Sequence, residues 1–516
     1  MKFHDISLTI AAALLFGGCA HPVGEMTSES PEAPWQQEQP VAAADDVDPG
    51  GVFSPNVPVP GVAYAFVAEP EDGPVGTNTL ETADPLSLAE ALGIALSNNP
   101  QTRRAWHVAR ARAAQVNQAR SAYYPQLDFS FQASRQESTF FGGGTGGGGN
   151  AGGGGTGGGG AAISGDTSTF NSYGPALSLS WLLYDFGERE SSIDAAEAAL
   201  AAANYSFNQS LQSIMFETAQ AYFALAAAEA ALEADEAFRE NAAATLDAAQ
   251  RRLDNDLGTR PDVLRARADL RTAEAALAAD RADIESARAR LARALGVRVD
   301  SQLVIRKLNA TADLPVPADT ISKAIATALR QRPLLKQANA EIEAAEETLD
   351  EARASTSPDL VFTADGSWTG YTDDNFDDTH RYSAGLALQW TLFQGFQRRY
   401  QIVQRQAELS QARQQAIQNE LEVISEVWES YFGWRSAREQ LTASAAAVEA
   451  REEALEAIRR SYQNGLSDLL DLLTAQQELA EARRQSVDAA AAVGTSRARL
   501  AFAVGALEVD NDTGNR

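Results

Sequence analysis

The sequence predicts an α+β membrane protein built from one structural unit that occurs twice in the chain. Three observations lead to this class. The segment "LALQWTLFQGF" at 386–396 repeats the pattern of "LSLSWLLYDFG" at 177–187, 209 residues earlier. Residues 188–256 are rich in alanine and contain neither proline nor glycine, which predicts one very long helix. Four segments, two of which overlap these phrases, alternate apolar and polar residues, which predicts strands.

Composition excludes several classes of function. The chain has 516 residues, a formal net charge of −28 and a pI near 4.6. Nucleic-acid binding requires a basic surface, so no nucleic-acid partner is expected. His4, His21, His107 and His380 are too scattered to suggest a catalytic triad or a zinc site. We therefore predict that the protein is not an enzyme and holds no metal or other cofactor.

The N-terminus predicts export. Lys2 precedes an apolar run over 6–16 that is too short for a membrane-spanning helix, so residues 1–18 are expected to form a signal peptide. The small residues and Cys19 that follow resemble a bacterial lipoprotein signal, in which Cys19 becomes the acylated first residue. A plain signal peptide with an incidental Cys19 is the alternative. Residues 19–84, rich in proline and alanine, predict an extended tether.

The duplication sets the domain boundaries. "YPQLDF" at 124–129 corresponds to "SPDLVF" at 357–362, with an offset of 233 residues. The offset falls to 209 for the two phrases quoted above. The change falls where the first half carries a glycine-rich loop over 141–165. A repeat of this length outweighs any short motif. The predicted parts are a first repeat at 85–300, a linker at 301–318, a second repeat at 319–507 and a disordered tail at 508–516.

Each repeat is predicted to hold two membrane strands, at about 127–140 and 171–184 and at about 360–371 and 381–393. Strands of about 9–11 residues suffice to cross a bilayer. Aromatic residues at the strand ends suggest two membrane girdles, with Trp181 and Trp390 in one and Trp368 and Tyr382 in the other. The alternative is a soluble sheet whose apolar face packs on the helices.

Four strands cannot close into a barrel, and lipid does not tolerate an open sheet edge. Copies of the chain must therefore share one barrel. Two copies would give about eight strands and a filled interior, whereas three would give about twelve strands and an open bore. We predict a homotrimer in contact with outer-membrane lipid.

Helical hairpins are predicted to turn at about 256–264 and 462–473. Gly258 and Gly465 suit the left-handed residue that closes a helix, and Thr259 with Asp262 forms a capping box for the next helix. At 1.5 Å per residue, the preceding helix of roughly 70 residues is about 100 Å long. Its apolar stripe must pack along other helices, as in a coiled coil.

The repeated unit of helices and paired strands resembles the TolC-like outer-membrane efflux proteins, and the Cys19 start is similar to their lipoprotein branch, typified by OprM and NodT. "YQNGLSDLLDLL" from Tyr462 carries the most specific local likeness. The resemblance implies a trimeric 12-strand β-barrel in the outer membrane of a Gram-negative bacterium, continued by a long α-helical barrel through the periplasm. It also implies a passive exit duct that works with a periplasmic adaptor (membrane fusion protein) and an inner-membrane RND or ABC pump.

The resemblance implies a periplasmic gate at the hairpin tips. Asp471 takes the position of the carboxylate that rings the pore, and Asp262 is its counterpart in the first repeat. Tyr462 matches a residue that tethers neighbouring helices. Arg260 belongs to a Gly-Thr-Arg tip that this chain carries in the first repeat rather than in the second. The first tip departs from the pattern, since two residues are missing before Asp262. Simple capping is the alternative role for Asp262 and for Asp471.

Contact with the adaptor is implied for five other tip residues, which are otherwise ordinary turn residues: Gly258, Thr259, Gly465, Leu466 and Ser467. Export of small molecules is the predicted activity. Two alternatives stay open, namely the outer-membrane part of a type I protein secretion system and a periplasmic coiled-coil scaffold without a pore.

Overall fold

A computed structural model describes residues 26–28, 30–36, 85–140, 166–301, 303–307, 320–372 and 377–506. Cys19, the predicted signal peptide and the predicted tail lie outside these ranges, as does the glycine-rich loop.

The order of elements is the same in both halves of the chain, with two helices, two strands and two longer helices. The long helices also match in length, at 67 and then 36 residues in each half. The first half contains α1 Leu88–Asn98, α2 Pro100–Arg120, β1 Gln126–Phe140, β2 Asp166–Tyr184, α3 Glu188–Asp254 and α4 Arg260–Leu295. The second contains α5 Ile321–Gln331, α6 Pro333–Ala354, β3 Asp359–Tyr371, β4 Thr379–Gln389, α7 Gln397–Gln463 and α8 Leu469–Val504. None of the described helices combines the length and apolar content that crossing a membrane requires.

Helix ends follow local sequence. Ser87 caps α1 through a capping box with Glu90, whose carboxylate accepts the Ser87 backbone N–H at 2.8 Å. Proline follows α1 and α5 closely, as Pro100 and Pro333, and disfavours helical backbone in the residue before it. Gly296 ends α4 with φ 70°, and a Cβ there would lie 2.6 Å from the Asn98 carbonyl oxygen. Glycine is therefore required at this position.

The strands form one antiparallel sheet in the order β1-β2-β3-β4, which confirms the prediction of four strands. This sheet belongs to a compact unit comprising residues 118–194 and 347–406. Two strand boundaries differ from the predictions by more than two residues: β2 begins at Asp166 rather than 171, and β4 ends at Gln389 rather than 393. Among the described residues, β1 and β4 are the edge strands of this sheet, each paired on one side only.

One face of the sheet is apolar. Leu127 pairs with Leu179 across β1 and β2, and Phe362 pairs with Leu386 across β3 and β4. Phe129 is 71% exposed and Leu386 is 66% exposed. These apolar side chains are exposed, whereas a soluble sheet buries its apolar face.

The second compact unit is helical and comprises the described residues within 26–117, 195–346 and 407–506. Its largest apolar cluster lies where α1, α3, α4 and α8 meet, around Phe207, Leu225, Leu291 and Leu295. Leu86 and Ile305, from outside the helices, form a parallel β-bridge beside it. A second cluster lies at the ends of the helical hairpins and is described below.

Part of the predicted tether lies against the helices. The Trp35 ring meets the Tyr205 ring edge-on at 5.1 Å. Asn208 donates from Nδ2 to the Trp35 carbonyl oxygen and accepts the Trp35 N–H at Oδ1, both at 2.7 Å. The Trp106 indole donates to the Ser28 carbonyl oxygen at 2.9 Å. Residues 26–36, apart from residue 29, thus dock on α2 and α3.

Two helical glycines provide a packing test. A Cβ on Gly494 would lie 2.5 Å from the Phe223 ring, whereas a Cβ on Gly433 would meet nothing within 4 Å. We expect Gly494→Ala to lower the free energy of unfolding by about 1–3 kcal/mol, because it overpacks the α3–α8 contact. Gly433→Ala is the matched control and should raise it by about 1 kcal/mol through helix propensity. Denaturant titrations of both variants would check this, and equal effects would contradict the described contact.

Candidate functional site at the hairpin tips

The two hairpin tips share one backbone geometry. At the first, the Leu257 N–H donates to the Arg252 carbonyl oxygen at 2.8 Å. At the second, the Leu466 N–H donates to the Ser461 carbonyl oxygen, also at 2.8 Å. This bond, formed five residues back, marks a helix closed by a left-handed residue. Asp256 (φ 58°) holds that position at the first tip.

Gly465 (φ 73°) is the left-handed residue of the second tip, as predicted. The same prediction for Gly258 is wrong, because Asp256 takes the left-handed conformation there. Asp tolerates this conformation better than most residues do. Asp256 and Gly465 are 209 residues apart, as are Asp262 and Asp471. The two tips are therefore equal in length, and the two residues predicted to be missing before Asp262 are present.

Both tips end in a capping box. The Thr259 hydroxyl donates to Asp262 Oδ2 at 2.7 Å, and the Thr259 N–H donates to the same oxygen at 3.2 Å. This confirms the predicted capping role of Asp262. At the second tip the Asp471 N–H donates to Asp468 Oδ1 at 2.9 Å, and the Asp468 N–H donates to Asp471 Oδ2 at 3.4 Å. Both carboxylates therefore accept N–H groups at helix N-termini, where negative charge is favoured.

Tyr462 joins the two hairpins. Its ring is only 9% exposed and packs in the tip cluster with Val263 and Leu469. The Arg252 guanidinium lies over the ring at 4.9 Å and donates from Nη1 to the Tyr462 carbonyl oxygen at 3.3 Å. Burial raises the pKa of the Tyr462 phenol, with Arg252 opposing the rise and Asp262 adding to it. The link from α3 to α7 thus involves Arg252, on which sequence reasoning placed no role.

Arg260 lies elsewhere on the tip. It is the first residue of α4, and its side chain is exposed. Among the described residues, no ion pair or hydrogen bond links Arg260 to Tyr462. The structure therefore brings Tyr462 together with Arg252 and Asp262 rather than with Arg260. The position of Arg252 in the last turn of α3 was the available signal, since basic residues there are favoured by the helix dipole.

Each tip carries an exposed leucine. Leu466 is 81% exposed, and Leu257, its counterpart 209 residues earlier, is 72% exposed. Gly465 and Ser467 flank Leu466, and Gly258 and Thr259 follow Leu257. Burial of a leucine side chain is worth about 1.5–3 kcal/mol. Leu257, which sequence reasoning did not single out, is thus as available to a partner as Leu466.

The predicted girdle residues lie in the strand unit. The Trp181 indole donates to the Tyr123 carbonyl oxygen at 3.0 Å, and the Trp390 indole donates to the Thr356 carbonyl oxygen at 3.1 Å. The two bonds are equivalent under the repeat. At the other end, the Trp368 ring meets Tyr173 edge-on at 5.6 Å, and Tyr382 is 89% exposed. Their placement at a membrane boundary stays a prediction.

Comparison with known proteins identifies the family. The sequence model described as "Outer membrane efflux protein" matches residues 91–297 and 324–506, more than half of the chain. The chain belongs to this family. Protein CyaE of Bordetella pertussis is 30% identical over 432 residues, which cover 82% of this chain and 85% of CyaE. The outer membrane efflux protein BepC of Brucella suis is 26% identical over 432 residues, with 82% and 86% covered.

Solved structures share the fold of this outer membrane efflux protein. The Campylobacter jejuni CmeC outer membrane channel matches with a TM-score of 0.69 at 17% identity, over 89% of this chain and 96% of CmeC. The predicted TolC-like fold, mostly helical with four antiparallel strands per chain, is thereby confirmed. Members of the family are outer-membrane channel proteins rather than enzymes.

Proposed function

We propose that the protein is the trimeric exit duct of a tripartite efflux system, carrying small molecules across the periplasm and outer membrane. The sheet carries this proposal. In the part of the chain that the structure describes, its edge strands β1 and β4 each have one side without a partner strand, and its apolar face is exposed at Phe129, Leu386 and Leu388. In lipid, both edges must be paired. Three copies supply about twelve strands, enough to close a barrel with an open bore.

Size measurement tests this proposal directly. We expect protein extracted from the outer membrane in detergent to have the mass of three chains. The same measurement on the intact chain reports whether Cys19 carries acyl groups, as we propose for the lipid anchor. A monomer that remains in solution without detergent would contradict both the barrel and the location. That outcome would favour the poreless scaffold.

The tips are proposed to meet a periplasmic adaptor, which in turn engages an inner-membrane pump of the RND or ABC type. Leu466 and Leu257 offer six exposed apolar points around a trimer, two from each chain. Gly258, Thr259, Gly465 and Ser467 keep the surrounding surface small, so that another hairpin can approach closely. Energy for transport would come from the pump, so the duct itself needs no cofactor.

The resting gate is proposed to include Asp471 and Asp262, with Tyr462, Arg252 and Arg260 positioning the tip. We expect Asp471→Asn to change single-channel conductance and to reduce cation preference in planar bilayers, because it removes a carboxylate from the constriction. Asparagine can still accept the Asp468 N–H, so the cap is retained. Asp488→Asn, on the exposed surface of the same helix, is the matched control.

If Asp471→Asn conducts like the unmodified protein, while its helix content is unchanged, the gating role of Asp471 is wrong and only the cap remains. BepC is named an outer membrane efflux protein, and the matching family model carries the same description, which supports efflux. Deleting the gene and measuring tolerance to a panel of small toxic molecules would test this cargo class. Unchanged tolerance with the loss of a secreted polypeptide would favour type I secretion.

A further inference from the structure

The β2–α3 and β4–α7 junctions share one backbone shape but carry opposite charge. Phe186 (φ 56°) and Phe396 (φ 67°) each lie next to a glycine that also has positive φ. Residues 185–197 carry five acidic residues and one arginine, a net charge of −4. Their counterparts 209 positions later, 394–406, carry three arginines and no acidic residue, a net charge of +3. In a chain with a net charge of −28, the second junction is a basic patch.

Arg398 in this patch lacks the acidic partner of its counterpart Arg189. Arg189 donates from Nε to Asp185 Oδ2 at 2.9 Å, whereas Gln394 takes the place of Asp185 in the second repeat. Among the described residues, the guanidinium of Arg398 makes one hydrogen bond, to the Thr391 carbonyl oxygen at 2.9 Å. Since a guanidinium has five N–H groups, most of its donors remain available to a ligand.

Arg399 has fewer contacts than Arg398. It is exposed, and within the described part of the chain it has no hydrogen-bond or ion-pair partner. Its counterpart in the first repeat is Glu190, so the charge at this position is reversed. Burial raises the pKa of Glu188, and Arg398 opposes that rise, so part of the Arg398 charge is balanced within the chain. Arg399 is therefore the free cation of the two.

Apolar side chains surround these cations. Phe396 and Tyr400, four residues apart, are 62% and 69% exposed. A cavity of about 220 Å³ lies beside Arg398, and its apolar lining includes Trp390, Leu392 and Phe396. Arginines beside exposed aromatic rings are typical of a membrane interface, where the rings lie at the level of the headgroups and the cations meet lipid phosphates.

We propose that this patch binds the phosphate group of a phospholipid in the periplasmic leaflet of the outer membrane. Arg399 and Arg398 donate to the phosphate oxygens, and an acyl chain lies against Leu392 and Phe396. The proposal rests on the proposed trimeric channel and adds three equivalent lipid sites to it. Hydrogen bonds from arginine to phosphate are charge-assisted and stronger than those between neutral groups. The equivalent acidic junction of the first repeat would repel the same headgroup.

A neighbouring copy of the chain is a poorer match to this patch than a lipid. The other edge of the sheet is β1, and α2, the helix that precedes β1, contains five arginines and no acidic residue. A copy placed at the β4 edge in the proposed trimer would therefore add positive charge to the junction. Like charges repel, and an anion between them removes the repulsion. A lipid phosphate supplies that anion.

Native mass spectrometry tests the site by counting the lipids bound to the detergent-extracted trimer during titration with phosphatidylglycerol. We expect Arg399→Gln to weaken lipid binding about fivefold, because one cation near the headgroup is lost. Arg399→Glu, which restores the charge of the first repeat, should weaken it about 25-fold. Arg399→Lys keeps the charge and should bind nearly as well as the unmodified protein.

Arg435→Gln is the matched control. Arg435 is an exposed arginine of the same helix and pairs with Glu439 at 3.2 Å, so its replacement changes the net charge equally at a different place. It should leave lipid binding unchanged. Diacylglycerol, which has acyl chains but no phosphate, should bind far more weakly than phosphatidylglycerol. Inorganic phosphate at the same concentration should not displace the lipid, and displacement would overturn the acyl-chain contact.

The mass of the protein separates the failures. Intact trimers that bind lipid equally in Arg399→Gln and Arg435→Gln would overturn the lipid site and leave the exit duct in place. Loss of the trimer in Arg399→Gln alone would mean that Arg399 contacts a neighbouring copy, which also overturns the lipid site. A monomer of the unmodified protein would overturn the trimer on which the proposal rests.

Discussion

Replacing Leu386 with arginine is expected to abolish most recovery of trimer from the outer membrane. Leu386 is 66% exposed on the apolar face and lies midway between 379, where β4 begins, and 393, where the predicted strand segment ends. Arginine facing lipid near the bilayer midplane costs about 2–4 kcal/mol per chain. Three copies multiply that cost within one assembly. Membrane fractionation followed by mass measurement gives the yield of trimer.

Ala387→Arg is the matched control. Ala387 is the next residue of the same strand, so its side chain lies on the other face of the sheet. On that face the Ser383 hydroxyl contacts Asp365 Oδ2 at 3.4 Å, which shows its polar character. Ala387→Arg should therefore assemble and shift ion selectivity toward anions. Equal losses in both variants would mean that neither face contacts lipid, and the membrane sheet would be wrong.

Much of this fold is readable from the sequence because its signals are local and strong. A helix from 188 to about 256 follows from the absence of proline and glycine, and α3 ends at Asp254. Its counterpart α7, from Gln397 to Gln463, contains no proline and only one glycine, Gly433. The strands follow from period-two alternation. Because the unit is duplicated, each element is predicted twice, once in each repeat. The trimer follows only when the lipid environment is added to these signals.

Strand β4 shows where local patterns stop being sufficient. Its sequence alternates as far as residue 393, yet the strand ends at Gln389. A strand requires a hydrogen-bonding partner as well as a pattern, and β3 begins opposite Gln389. The alternation of residues 390–393 fits a strand that pairs with a neighbouring copy of the chain in the proposed trimer.

The tips show a different limit. Glycine is the usual left-handed residue, so the pattern pointed to Gly258, but the hydrogen bond from Leu257 to Arg252 places the turn at Asp256. The contact of Arg252 with Tyr462 joins residues 210 positions apart. No periodicity encodes such a pair. It becomes visible only when the two hairpins are packed together.

A buried charged cluster in the helical unit was also missed. Arg484 on α8 donates to Asp235 on α3 at 2.6 Å and to Asp280 on α4 at 2.7 Å. The two aspartate side chains are 4% and 6% exposed, whereas the Arg484 side chain is 41% exposed. Two carboxylates therefore depend on one cation. The equivalent positions of the other repeat carry no charged residues, so the duplication does not predict this cluster.

Arg484→Leu is expected to lower the free energy of unfolding by about 3 kcal/mol, because it leaves two buried carboxylates without their cation. The partial exposure of Arg484 keeps the estimate at the low end of the range for buried pairs. Arg483→Leu is the control at the neighbouring position. Arg483 pairs at 2.6 Å with Glu452, whose side chain is 49% exposed, and such an exposed pair contributes about 1 kcal/mol or less. Denaturant titration of both variants measures the difference.

The pH dependence of the loss separates electrostatics from packing. Burial raises the pKa of Asp280, Arg484 opposes that rise, and the Asp235 carboxylate adds to it. Removing Arg484 raises the pKa of Asp280 in the folded state further above its value in the unfolded chain. For an acid shifted this way, stability is greatest below the unfolded pKa and falls as pH rises through the folded pKa. The deficit of Arg484→Leu should therefore be larger at about pH 8 than at about pH 5. A deficit that does not change with pH would mean that Arg484 acts through packing of its stem and not through its charge.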